Sequence, residues 1–142
     1  MNITKDFTLE ELTHSATADR LKIANKPTDC ELNSLLALCR NILQPIRDKY
    51  GKPIIVSSGF RCAKLNKAVG GSKTSQHVKG EAADIHTVSD TKASNKALFG
   101  LIVEMIQKDQ ITVGQLINEY DYNWIHISLP TKEHKNQIFN IK

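Results

Sequence analysis

Hydrophobic residues recur at intervals of three and four over residues 28–50, the pattern of an amphipathic helix. Thr28 followed by Glu31 forms a capping box that begins this helix, and Gly51 is placed to end it. Pro45 has no backbone N–H and its ring collides with the carbonyl four residues earlier, so we expect a kink or a break there. The apolar stripe consists of Leu32, Leu35, Leu36, Cys39, Ile42, Leu43 and Ile46.

Other segments carry weaker helical signals. Thr8 with Glu11 is a second capping box, which predicts a short helix, and residues 63–69 could form one or two helical turns. Residues 91–108 predict the second long helix, whereas residues 15–27 show no clear period and are expected to wrap the surface. The apolar side of the second long helix consists of Leu98, Leu101, Ile102, Met105 and Ile106.

Short runs of β-branched and other apolar residues predict the strands. These strands are Ile54–Ser58, the run from Ala82 to His86, Gln115–Glu119 and Trp124–Leu129, and Ile138, Phe139 and Ile141 could add an edge strand. Only residues 120–123 separate the last two main strands, which predicts a hairpin. We therefore expect an α+β domain in which long helices cover a small, mainly antiparallel sheet.

Composition limits the class of protein. The 142 residues suit one domain with a real core, and the 40% hydrophobic and 24% charged fractions are those of an ordinary globular chain. No apolar run approaches the length of a membrane span, so we expect no stable membrane insertion. The first residues lack the basic and then apolar pattern of a signal peptide, which predicts cytoplasmic synthesis.

The three cysteines, Cys30, Cys39 and Cys62, include no Cys-x-x-Cys pair. Their number and spacing indicate neither a disulfide framework nor a thiolate metal site. We expect buried or half-buried free thiols. A catalytic cysteine is the alternative, and Cys62 would be the one to test.

The formal net charge of +4 and the pI near 9.0 favour an anionic partner, such as nucleic acid, an acidic membrane surface or an anionic cell wall. No aromatic residues are interleaved with the basic ones in the manner of single-strand binding surfaces, so we expect no nucleic acid partner. Four lysines flank the chemistry-bearing stretch described next, namely Lys64, Lys67, Lys73 and Lys79.

Chemistry-bearing residues concentrate between Ser75 and Asp84, and His126 lies far downstream. Two imidazoles and one carboxylate are a ligand set of catalytic zinc, which keeps a fourth position for water. His77 and Asp84 are too far apart to share one helical turn, and Gly80 lets the chain bend between them. We therefore place His77 on a loop and Asp84 on the following strand. An ordinary core or capping role for each residue is the alternative.

Three sequence pieces occur in the order found in a known family. They are Ser57-Ser58-Gly59-Phe60-Arg61, then Ser-x-His-x-x-Gly-x-Ala-x-Asp at 75–84, then Trp124-Ile125-His126-Ile127-Ser128. Together they resemble the D-alanyl-D-alanine carboxypeptidase family of zinc peptidases, which includes vancomycin-resistance D,D-dipeptidases and L-alanyl-D-glutamate endopeptidases of phage lysins. The resemblance runs from Phe7 to about Leu129 and is closest to a small single-domain branch common in phages and prophages. It implies the hedgehog-type fold and a zinc ion bound by His77, Asp84 and His126.

The predicted hairpin places a carboxylate beside His126. A four-residue loop pairs Glu119 with Trp124, and alternate residues of a strand share one face, so Glu119 flanks His126 diagonally. Zinc hydrolases need a carboxylate that collects a proton and passes it to the leaving amine, and we assign that role to Glu119. Many relatives carry this glutamate three positions before the last histidine, where this chain has Asn123. Asp121 is the competing candidate.

The resemblance also implies roles outside the ligand set. Arg61 matches the arginine that the family places near the substrate carbonyl or carboxylate, and its guanidinium can hold two oxygens at once. A surface arginine that closes a turn is the alternative. Ser75 is expected to make a supporting substrate contact. His86 is an additional ligand or, more simply, a strand-end residue, while His14 and His134 have no motif around them and receive no role.

The resemblance implies a zinc-dependent peptidoglycan hydrolase, and we expect a single monomeric domain over residues 1–142. The resemblance together with the absent export signal indicates a phage or prophage lysin that reaches the wall after release, or a virion-carried wall enzyme. The cleaved bond stays open between D-Ala-D-Ala, L-Ala-D-Glu and a cross-bridge. Two alternatives come from other classes: a non-catalytic zinc-bearing binding module and a non-haem iron oxygenase, which also uses two histidines and one carboxylate.

Overall fold

A five-stranded sheet organises the chain, and a computed structural model describes it over residues 1–142. The strands are β1 (Ile54–Ser58), β2 (Ala82–Thr87), β3 (Gln115–Glu119), β4 (Trp124–Ser128) and β5 (Gln137–Ile141). They lie in the order β1-β2-β4-β3-β5, and every neighbouring pair is antiparallel except β3 with β5. The predicted α+β fold with a small, mainly antiparallel sheet is confirmed.

Six α-helices surround this sheet. They are α1 (Leu9–Thr13), α2 (Ala16–Leu21), α3 (Asp29–Leu38), α4 (Gln44–Tyr50), α5 (Ala63–Ala68) and α6 (Lys92–Gln107). The capping boxes predicted at Thr8 and Thr28 are both formed. Helix α2 lies within residues 15–27, which show no clear hydrophobic period. A helix of six residues is too short to display one. None of the helices combines the length and the apolar character needed to cross a bilayer.

Of the kink or break predicted at Pro45, the break does not occur, because a π-helical turn over Cys39–Leu43 joins α3 to α4. At its end, the Gln44 N–H donates to the carbonyl of Cys39, five residues earlier. Such a turn is wider than an α-helical turn. The extra room lies where the proline ring would otherwise meet a carbonyl, so the chain stays helical from α3 through α4.

The long helices cover only one face of the sheet. Helix α6 packs on β2 and β4, and α4 packs on α6. On this covered face Ile85, Ile125 and Ile127 are fully buried. Since successive side chains of a strand point to opposite faces, Asp84 and His126 lie on the face that α4 and α6 leave free.

All three cysteines are free thiols. Cys39 lies in the core, where burial, together with the charge of Glu11, raises its pKa to about 12. Cys62 is half-buried, but Cys30 is exposed, so the prediction of at least partial burial is wrong for Cys30. Neither Cys30 nor Cys62 lines the cleft that contains His126, so the structure gives no support to a catalytic cysteine.

Gly80 meets two constraints at once. Its φ of 72° lies in the left-handed region, and a Cβ built on it would stand 2.5 Å from the carbonyl oxygen of Glu31. Gly51 has a similar φ of 75°, but a Cβ there would meet nothing within 4 Å. A substitution at Gly51 therefore tests backbone strain alone, whereas a substitution at Gly80 tests strain together with steric overlap.

We expect Gly80→Ala to destabilise the fold clearly more than Gly51→Ala. Both variants acquire left-handed strain of about 1–2 kcal/mol, but only Gly80→Ala also forces a methyl group against the backbone of α3. Urea unfolding followed by circular dichroism measures the two free energies of unfolding. Equal losses in the two variants would show that the contact with Glu31 is not a constraint.

Candidate active site

Three side chains from separate segments meet on the free face of the sheet. His77 lies in a 3₁₀ turn, Gln76–Lys79, rather than in an irregular loop, while Asp84 lies in β2 and His126 in β4. One potential ligand atom of each residue lies within 4.8 Å of the others. Asp84 Oδ2 is 3.4 Å from His77 Nε2, and Asp84 Oδ1 is 3.1 Å from His126 Nδ1. The structure thus brings the three predicted ligands together.

Local backbone geometry explains this convergence. Asp84 and His126 are direct neighbours in the antiparallel pairing of β2 with β4, so their side chains emerge side by side. The turn that carries His77 begins where Ser75 Oγ accepts the His77 N–H at 3.2 Å. It ends at Gly80, whose left-handed conformation directs the chain into β2.

Hydrogen bonds fix the orientation of both imidazole rings. His77 Nδ1 lies 2.8 Å from the carbonyl oxygen of Gly59, and because a carbonyl only accepts, Nδ1 must carry the hydrogen. His126 Nε2 lies 2.8 Å from Gln76 Oε1, which assigns the hydrogen to Nε2 in the same way. In the neutral rings, His77 Nε2 and His126 Nδ1 therefore present lone pairs to Asp84.

Asp84 carries its negative charge in a largely buried position. Burial alone raises the pKa of a carboxyl, but when the two rings are protonated, hydrogen bonds from His126 and His77 and the positive charges of these rings outweigh that effect. The pKa of Asp84 is consequently held well below its ordinary range. The carboxylate is thus available as an anionic ligand across the physiological pH range.

The donor set fits a divalent metal ion. A carboxylate oxygen and a neutral imidazole nitrogen are both hydrogen-bond acceptors, so pairs of them at 3.1 and 3.4 Å need a cation between them. That cation is either a proton on each ring or one ion shared by all three groups. Around zinc, with bonds of about 2.0–2.2 Å, tetrahedral ligand atoms stand about 3.3–3.6 Å apart. One ligand atom from each of the three residues already lies within 4.8 Å of the other two, so small side-chain shifts suffice to reach this spacing.

Glu119 shares an open cleft with His126. The pairing of Glu119 with Trp124 and of Ile117 with His126 is the register that the four-residue loop predicted. The Trp124 indole Nε1 donates to Glu119 Oε2 at 2.8 Å, which orients the carboxylate. Trp124 therefore positions the carboxylate of Glu119 through a polar contact.

Ser75 lines the same cleft as His126 and contacts Arg61, which does not line that cleft. Arg61 Nη2 donates to Ser75 Oγ at 3.3 Å, and the Arg61 backbone N–H donates to the carbonyl of His77. Burial lowers the pKa of Arg61, while the negative charges of Asp84 and Glu119 act in the opposite direction. Arg61 Nε is buried without a hydrogen-bond partner, so the guanidinium retains donor capacity.

The remaining candidates lie outside this group. His86 Nδ1 lies 2.7 Å from the carbonyl oxygen of Thr87, and His86 is not among the three residues that could share an ion. Asp121 is exposed, pairs with Lys92 at 2.7 Å and does not line the cleft. The structure therefore brings neither His86 nor Asp121 to the three-ligand group.

Sequence reasoning missed two residues of the cleft. The side chain of Gln76 contacts His126, a role that the sequence analysis did not assign to it. His134, which received no role, lines the same cleft as Glu119. Gln76 had a detectable signal because it stands next to a predicted ligand, whereas His134 is brought there only by the return of the chain into β5.

Comparison with known proteins agrees with this geometry. Residues 5–128 match the family described as Peptidase M15. The chain belongs to the peptidase M15 family. The M15-matched range contains all three candidate ligands and confirms the family resemblance predicted from the motifs. The chain is also similar to the zinc D-Ala-D-Ala carboxypeptidase of Streptomyces albus G, with 43% identity over 54 residues, which cover 37% of this chain and 20% of that protein.

The ring orientations predict opposite tautomers in the zinc-loaded protein. We expect His77 to carry its hydrogen on Nδ1 and His126 on Nε2, because Gly59 and Gln76 accept from those atoms. Long-range proton–nitrogen NMR correlations distinguish the two tautomers. If both rings carried the hydrogen on the same type of nitrogen, one of the two hydrogen bonds would be incorrectly assigned.

Proposed function

We propose that this M15 chain is a zinc-dependent peptidase that hydrolyses peptide bonds in bacterial peptidoglycan stems, with zinc bound by His77, Asp84 and His126. One observation carries the proposal: two imidazole nitrogens with fixed lone pairs face the partly buried carboxylate of Asp84, beside a cleft that contains Glu119. The zinc carboxypeptidase relative supports both the metal and the substrate class.

Zinc supplies Lewis-acid chemistry, since it acidifies water and polarises a carbonyl. In this chain Glu119 is the group that accepts and returns the proton. Trp124 holds Glu119 Oε2, and Oε1 has no protein partner, so Oε1 is free for proton transfer. Asp121 is directed to Lys92 instead, which favours Glu119 between the two candidates.

Arg61 and Ser75 are the proposed substrate-binding pair. The half-buried guanidinium keeps its charge and has a fork of donors that matches a carbonyl or a carboxylate of the peptide. Ser75 holds one end of that fork through Arg61 Nη2. In this arrangement Arg61 also assists catalysis by neutralising charge on the substrate oxygen.

The proposal extends to the biological setting. The chain acts as one monomeric domain on wall peptides, either as a D,D-carboxypeptidase or as an L,D-endopeptidase, after release in the manner of a phage lysin or from a virion. The relative's name favours a D-Ala-D-Ala bond. An open cleft is compatible with an internal bond of a longer stem peptide.

Glu119→Gln should abolish turnover while zinc stays bound. Loss of a general base typically costs about 10²- to 10⁴-fold in rate, whereas the three ligands are unchanged. Purified peptidoglycan is incubated with the zinc-loaded protein, and mass spectrometry of the released fragments identifies the cleaved bond. Metal content is measured by inductively coupled plasma mass spectrometry.

Asp121→Asn is the matched control, because it removes a nearby carboxylate that lies outside the cleft. It should retain the wild-type rate. If Asp121→Asn were inactive and Glu119→Gln active, the base would be Asp121. Absence of turnover in a zinc-loaded wild-type protein would identify a non-catalytic module, and an iron-dependent oxidation would identify an oxygenase.

A further inference from the structure

The cleft has a second end that the proposed catalytic groups do not occupy. Gln115, Ile117 and Glu119 line the whole cleft as alternate residues of β3, so they share one face. Ile117 pairs with His126, and Glu119 lies towards the hairpin. Gln115 lies in the opposite direction, about 7 Å along the strand from Ile117.

The chain between β4 and β5 forms a wall at this second end. Thr131, Glu133 and His134 line the cleft, and all three lie outside the M15-matched range. The Thr131 N–H donates to the His134 carbonyl at 2.9 Å, and the His134 N–H donates to Thr131 Oγ1 at 3.1 Å. These two hydrogen bonds close a tight turn.

This turn is anchored to the sheet. The Asn136 N–H donates to the carbonyl of Val113 at 2.6 Å, and Asn136 Oδ1 accepts from the Val113 N–H at 2.9 Å. Gly114 allows the close approach of the outgoing chain, because a Cβ there would stand 2.3 Å from the carbonyl oxygen of Leu129. The wall is therefore formed before any substrate arrives.

His134 is oriented within this wall. Its Nδ1 lies 3.0 Å from Gln137 Oε1, which also accepts from Gln115 Nε2 at 3.2 Å. Because the amide oxygen only accepts, His134 Nδ1 carries the hydrogen, and in the neutral ring Nε2 carries a lone pair. Nε2 has no protein partner, and the half-buried ring lies against the cleft.

We infer that His134 is a specificity-determining residue, whose Nε2 accepts a hydrogen bond from a peptide N–H of the substrate. The inference rests on the proposed peptidase function. The scissile bond is placed beside His126, whose partner in β3 is Ile117. An extended peptide advances about 3.4 Å per residue, so a peptide that runs along β3 reaches Gln115, about 7 Å from Ile117, about two residues from the scissile bond. The site therefore selects peptides long enough to reach His134 over blocked dipeptides.

The test compares substrate lengths in the zinc-loaded full chain. For the wild type, kcat/KM is measured on a stem pentapeptide and on a blocked dipeptide that contains the same scissile bond. In His134→Ala the preference for the pentapeptide should fall about tenfold, through KM, with the dipeptide rate unchanged, as expected for one lost hydrogen bond. His134→Gln, which retains an acceptor, should recover part of the preference.

Lys132→Ala is the matched control, since Lys132 lies in the same turn but is exposed and does not line the cleft. Its length preference should equal that of the wild type. If the wild type cleaves both peptides and His134→Ala keeps the full preference, the inference is overturned while the proposed peptidase function stands.

A binding measurement keeps the two ideas separate if no peptide is cleaved. The pentapeptide is titrated into zinc-loaded Glu119→Gln, and the ring signals of His134 are followed by NMR. A shift of these signals supports the contact between His134 and the peptide. If the wild type shows no turnover in addition, that absence counts against the peptidase function but not against the contact. Shifts confined to other residues overturn the contact.

Discussion

The antiparallel register of β2 against β4 is the constraint on which the site depends. It makes Asp84 and His126 direct neighbours, and it places Ile85 opposite Ile125 on the covered face. A slip of one residue would exchange the two faces, so apolar burial and ligand geometry require the same register. The burial of Ile85 and Ile125 therefore also stabilises the arrangement of the two ligands.

The separation of the sheet into two faces explains how a small protein holds a polar centre. The core cluster, together with α4 and α6, occupies one face, where charged groups would be costly. On the other face, short connections such as the turn that carries His77 leave the two histidine ligands buried, with 3% exposure for His77 and 9% for His126. The polar side chains there have hydrogen-bond partners within the protein. Gly59 accepts from His77, Gln76 accepts from His126, and Trp124 donates to Glu119.

Much of this arrangement follows from local pattern. The period-two alternation of β4 and the length of the hairpin loop were sufficient to place Glu119 near His126, and capping boxes correctly marked the starts of α1 and α3. What the sequence did not reveal depends on distant parts of the chain. The parallel pairing of β5 with β3, and with it the position of His134, follows from long-range contacts that no local pattern encodes.

The three ligands come from segments that are neighbours only in the folded chain, with 42 residues separating Asp84 from His126. A divalent ion that binds them would favour the native state over the denatured ensemble by mass action, by about 2.7 kcal/mol at a hundredfold excess over its dissociation constant. Such an ion would act as a reversible cross-link between β2, β4 and the 3₁₀ turn. Metal supply would then govern how long the molecule survives proteolysis as well as whether it is competent for chemistry.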